Sequence, residues 1–177
     1  MKYILGYEVY QEYVSLLQLA IITYGLGVIC GAAIVFLGKA IYSLKWVLEE
    51  HGFATYGSLI FLCGLSLILS GLTGVYFSYI LMINIISGNE TIGLEVTRSL
   101  ILPVDVSQKA FFIFGMVGFI MLGIKLWLIR DYAPRLRLRG ISIITITGGL
   151  LILLFGIGFL LIFFALALLG KNIKRSG

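Results

Sequence analysis

Charge is scarce in this chain and missing altogether over long stretches: no Asp, Glu, Lys or Arg occurs in the 39 positions between Glu50 and Glu90, nor in the 31 between Arg139 and Lys171. A hydrocarbon core of about 30 Å is crossed by about 20 apolar residues in a helix, so each stretch is long enough to span it. Charged residues make up 12% of the 177 and hydrophobic ones 60%, with a mean hydropathy of +1.11, where a soluble domain carries about 25% charge. A soluble fold is excluded, and the spans and their connections leave no room for a separate polar domain of about 50 residues or more.

Chemistry-bearing residues are equally sparse. His51 is the only histidine, and it falls between two apolar runs, so paired axial ligands for a membrane haem are not available within one copy. Cys30 and Cys63 lie inside apolar runs without a CxxC arrangement, which reads as two small buried hydrophobes. Converging His, Cys and carboxylate ligands for zinc or copper are missing, as are the base-nucleophile pairs or paired carboxylates of a membrane hydrolase. The only aspartates, Asp105 and Asp131, sit at expected helix ends. The expectation is therefore no catalytic residue, no metal site, no cofactor and no enzyme. The net charge of +5 comes mostly from Lys and Arg flanking the apolar runs, which speaks for anionic headgroups and membrane orientation, not for nucleic acid.

What is present predicts an all-α integral membrane protein, one membrane domain over residues 1–177, built as a four-transmembrane-helix bundle. The amino-terminal stretch has Lys2 followed by Glu8 and Glu12, unlike a cleaved signal peptide, and Tyr3, Tyr7, Tyr10 and Val14 recur at helical spacing as in an interfacial lead-in. The spans are expected at about 13–48, 53–86, 106–130 and 141–169. The first two are long, and the second exceeds the bilayer thickness, so it should protrude. Residues 90–102 mix charges with Ile, Leu and Val and read as a short interfacial segment between helices 2 and 3. Pro103 should end that segment, and Asp105 with Gln108 resembles a capping box opening the third helix.

Seven basic residues, Lys39, Lys45, Lys125, Arg130, Arg135, Arg137 and Arg139, flank the first and third connections, against Arg98 and Lys109 near the second. Those two connections should therefore be cytoplasmic, in the cell membrane. Lys171, Lys174 and Arg175 oppose this, because an even number of spans carries them to the other side. Asn89, Glu90 and Thr91 form an N-x-T sequon in the second connection.

The clearest pattern is a stripe of small residues. In the second span Gly57, Gly64, Gly71 and Ser78 recur every seven positions with Gly74 beside them, and the first span carries Gly27, Gly31 and Gly38. Helices in lipid associate through close backbone approach, so these residues are the expected helix-packing positions of an antiparallel pair. Ser66, Ser70 and Thr73 lie beside that stripe, either lining a polar path or bonding back to their own helix. Arg135, Arg137 and Arg139 alternate with leucines; in an extended segment they would share one side and contact headgroup phosphates or an acidic partner. The function these features favour is a noncatalytic accessory or structural subunit of a multi-subunit membrane complex, packing against partner subunits and lipid. The alternative is a small homo-oligomeric channel or transporter.

Overall fold

The computed structural model describes residues 7–48, 52–87, 90–132, 137–152 and 157–176. The described chain forms α1 (Tyr7–Leu48), α2 (Gly52–Ser87), α3 (Glu90–Leu128), α4 (Leu138–Leu151) and α5 (Ile157–Ser176). Three apolar stretches, Gln11–Trp46, Gly52–Ser87 and Ile101–Leu128, are each long enough to cross a bilayer, which fits a multi-pass membrane protein. His51, Arg135 and the Asn89 sequon lie outside the described residues.

Two elements differ from the sequence reading. Residues 90–102 are not a separate interfacial segment: α3 runs unbroken for 39 residues with Pro103 inside it. A proline removes one backbone donor and crowds the carbonyl four residues back, but membrane helices tolerate this where neighbouring hydroxyls re-satisfy the backbone. The carbonyl that loses its backbone donor here is that of Ser99, while Ser107 Oγ donates back to the carbonyls of its own turn, Pro103 O at 2.7 Å and Val104 O at 3.0 Å. Asp105 is consequently mid-helix, not a cap, and pairs with Lys109 Nζ at 2.6 Å, one turn on. The second difference is the expected fourth span at 141–169, which is two helices of 14 and 20 residues.

The chain divides into two compact units, Met1–Ala33 with Gly64–Ala110, and Ile34–Cys63 with Phe111–Gly177. In the first, every buried position among the described residues is Gly or Ser: Gly31, Gly64, Ser70, Gly71, Gly74, Ser78 and Ser107. The aliphatic side chains point outward instead, Leu16, Leu19, Ile22, Leu26 and Ile29 on α1 and Leu65, Leu69 and Leu72 on α2. Small residues inside and large apolar ones outside is the distribution expected where the surroundings are as apolar as leucine and association rests on close backbone contact.

The second unit has a conventional large-residue core. Phe53, Ile60, Phe119, Leu122, Ile152 and Ile162 are fully buried. The Phe159 ring stacks on Phe111 at 5.1 Å and meets Phe119 edge-on at 6.0 Å, joining α5 to α3. Glycines of α3 admit its neighbours: a Cβ at Gly115 would touch Cys63 Sγ at 3.1 Å, and one at Gly123 would lie 3.1 Å from Ser142 O on α4.

Candidate functional site

The stripe residues of α1 and α2 meet within each unit. In the first, a Cβ at Gly31 would stand 2.9 Å from Gly64 O, and one at Gly71 would stand 2.8 Å from Tyr24 O; Gly27 is looser, with Leu67 at 3.9 Å. Gly74 lies under the Tyr24 ring, where an added Cβ would come within 2.6 Å of Cε1, and Ser78 is buried. In the second unit Gly38 and Gly57 approach each other, and a Cβ added to either would stand 2.8 Å from the other's carbonyl oxygen.

The hydroxyls beside the stripe are placed unevenly. Thr73 Oγ1 donates to Leu69 O at 2.7 Å and to Ser70 O at 3.2 Å within its own helix, Ser70 is buried, and Ser66 is half-buried. Cys30 is exposed and Cys63 buried, both as free thiols. Asn84, polar and near the end of α2, keeps its Nδ2 buried without a hydrogen-bond partner among the described residues.

At the basic end of the second unit, the arginines are not in an extended run. Arg137 adopts φ 51°, ψ 40° immediately before α4, and Arg139 is already helical. Both are exposed, while Leu138 between them is buried. The Arg130 guanidinium lies 4.2 Å from the Trp127 ring centroid and Arg139 lies 5.8 Å from it. Lys45 caps the same unit's α1 segment, its Nζ 2.7 Å from Tyr42 Oη and 4.6 Å from the Trp46 ring. Cationic heads set beside Trp and Tyr are the usual furniture of a membrane boundary.

Sequence reasoning missed one constellation. In the first unit Tyr24, Phe77, Ile101, Val104, Asp105 and Gln108 line a cleft of about 220 Å³. Asp105 pairs with Lys109 at its rim, and the two side chains remain 48% and 70% exposed. The ion pair lies near the start of the apolar stretch Ile101–Leu128 and faces outward, Asp105 about 30 Å and Lys109 about 24 Å along α3 from Lys125. The signal available in the sequence was the i, i+4 spacing of Asp105 and Lys109; it was obscured by reading Pro103 as a helix stop.

Among the described residues no group of three or more His, Cys, Asp or Glu side chains is placed to hold a metal ion. Comparison with family models, curated proteins and solved structures returns no match.

Proposed function

We propose that this chain is a noncatalytic subunit of a multi-subunit membrane complex, docking on its partners through the outward face of α3 around Asp105 and Lys109. The ion pair carries this reading. A charged side chain costs about 2.5–3.5 kcal/mol at the bilayer centre on insertion scales and less toward the boundary where this pair lies, and polar residues within an apolar stretch normally face protein or water. Pairing removes much of the net charge, but among the described residues the Lys109 ammonium and the Asp105 carboxylate are shown with one contact, to each other, and keep further donor and acceptor capacity. A neighbouring helix offering Ser, Thr, Asn or Gln at the same depth engages it. Ile101, Leu102, Val106 and Ile113 on α3 are exposed around the pair and provide the apolar surround of such a contact.

In this reading the protein sits in the cell membrane with the basic connections, before α2 and between α3 and α4, in the cytoplasm. Anionic lipid headgroups meet the arginines there. The transport alternative has less behind it, because the Thr73 hydroxyl is committed to its own helix and Ser70 is buried.

The test is native mass spectrometry of the assembly purified from its source membrane in mild detergent, for the native chain and for an Asp105→Leu, Lys109→Leu variant. Fixed stoichiometry with other chains, lost in the variant, supports the proposal. A chain that is monodisperse alone overturns it, and a homo-oligomer moves the assignment to transport.

A further inference from the structure

The α4–α5 pair reverses direction inside the stretch that sequence alone reads as one span. Gly148 and Ile162 would be about 21 Å apart along a continuous helix. Instead, a Cβ placed on Gly148 would lie 2.7 Å from Ile162 Cγ1 and 2.9 Å from Gly158 O, and one on Gly158 would run into the backbone of Gly148 and Ile152. The two helices are thus antiparallel arms, in register so that Arg139 on one arm is level with Lys171 on the other.

Three further observations fix how such a hairpin meets a bilayer. First, the arms are short: α4 has 14 residues, and the apolar part of α5, from Ile157 to Leu169, has 13, each about 20 Å against the roughly 30 Å of hydrocarbon. Second, the residues joining the arms read Leu153, Leu154, Phe155 and Gly156, with no group suited to water. Third, the open end is basic on both arms, with Arg137 and Arg139 entering and Lys171, Lys174 and Arg175 leaving.

Packing against α3 gives the depth. α4 begins beside the Lys125–Arg130 end of α3, where Arg139 approaches Trp127. The far end of the hairpin reaches Gly115 and Phe111, through Ile152 and Phe159. Those positions are about 15 and 21 Å along α3 from Lys125, inside the hydrocarbon and short of its far boundary.

We propose that α4 and α5 form a re-entrant hairpin that enters and leaves the membrane from one face, seating its basic open end on the anionic headgroups of that leaflet. The residues after Leu169 then share a side with the α3–α4 connection. This removes the conflict in the charge pattern: Lys171, Lys174 and Arg175 join Lys125, Arg130, Arg135, Arg137 and Arg139 on one face instead of opposing them.

The experiment is cysteine mapping in a Cys30→Ser, Cys63→Ala background, in sealed vesicles of uniform orientation, with a membrane-impermeant maleimide added before or after permeabilisation. Tyr132→Cys reports the α3–α4 connection, Ser176→Cys the end of α5, and Leu160→Cys the deep part of the hairpin, where Leu160 is exposed to the surroundings. Expected are labelling of positions 132 and 176 from the same face and protection of 160 from both. Labelling of 132 and 176 from opposite faces means a single continuous span and overturns the proposal; so does labelling of 160 from the face opposite 132, which means two full crossings. Neither outcome depends on a partner subunit. Should the background variant fail to assemble, epitope tags after Tyr132 and Ser176, read by antibody accessibility in the native-cysteine chain, decide the same question.

Discussion

Gly57→Ala and Gly25→Ala make the same chemical change, and the structure expects opposite signs. In a helix interior the added methyl gains about 0.5–1 kcal/mol by lowering the conformational entropy lost on folding. Gly25 has nothing within 4 Å of its would-be Cβ, so it should keep that gain. At Gly57 the new methyl would sit 2.7 Å from Tyr42 Cα and 2.8 Å from Gly38 O, both unyielding backbone, where ordinary contact begins at 3.4 Å. The α1 backbone must retreat by about 0.7 Å, a gap that forfeits a quarter to a half of each local dispersion contact of ~0.1–0.2 kcal/mol. Over some twenty to thirty atom pairs at the crossing this is about 1–2 kcal/mol, with overpacking strain of similar size on top. After subtracting the entropic gain, Gly57→Ala should be destabilised by about 1–3 kcal/mol and Gly25→Ala stabilised by up to about 1 kcal/mol. Titration with SDS in mild detergent, followed by far-ultraviolet circular dichroism, resolves a difference of that size. A Gly57→Ala midpoint equal to or above the native one would refute the claim that the α1–α2 crossing in that unit is closed by backbone contact.

Other expectations follow from particular residues. Asp105→Leu alone strands the Lys109 ammonium and should reduce insertion of α3 in a translocon assay by less than the roughly 3 kcal/mol of a charge at the bilayer centre, whereas the Asp105→Leu, Lys109→Leu pair should insert at least as well as the native helix; equal behaviour of both would place the pair in water. Arg137 holds φ 51°, a left-handed conformation costing a non-glycine residue roughly 1–2 kcal/mol, so Arg137→Gly should raise the unfolding midpoint by about 1 kcal/mol and Arg137→Val should lower it. Ser107→Ala removes the donor to Pro103 O and should cost about 1 kcal/mol, measured by the same titration. Reversing Arg137, Arg139 and Lys171 to Glu should mix the orientation of the hairpin's open end in phosphatidylglycerol vesicles, read as labelling of Tyr132→Cys from both faces.

Much of the architecture was legible from residue order. The apolar runs announced α1 and α2 and their ends within a few residues, because in lipid a helix is the only way for an isolated segment to satisfy its own backbone. The glycines at intervals of seven were the most regular pattern in the residue order, and within each unit several of them leave room for little more than a hydrogen against the other helix. Harder to read was α3: Pro103 is a stop in the grammar of soluble helices, and nothing local says that the helix runs on through it. Because the helix continues, Asp105 and Lys109 become an i, i+4 ion pair on one helix face instead of a cap and a separate lysine.

Composition by itself determined that this chain belongs in a membrane, that it is helical, and which segments carry enough apolar length to cross. It could not determine whether residues 141–169 run straight or turn back, because a continuous span and a hairpin with an apolar tip have the same hydropathy. Tertiary structure decided that: the contact of Gly148 with Gly158 and Ile162 is a long-range event, and the glycines of α3 at 115 and 123 create the surface on which the returning arms can pack. Hydropathy measures the transfer of each residue into lipid, whereas a reversal depends on which neighbour lies against it.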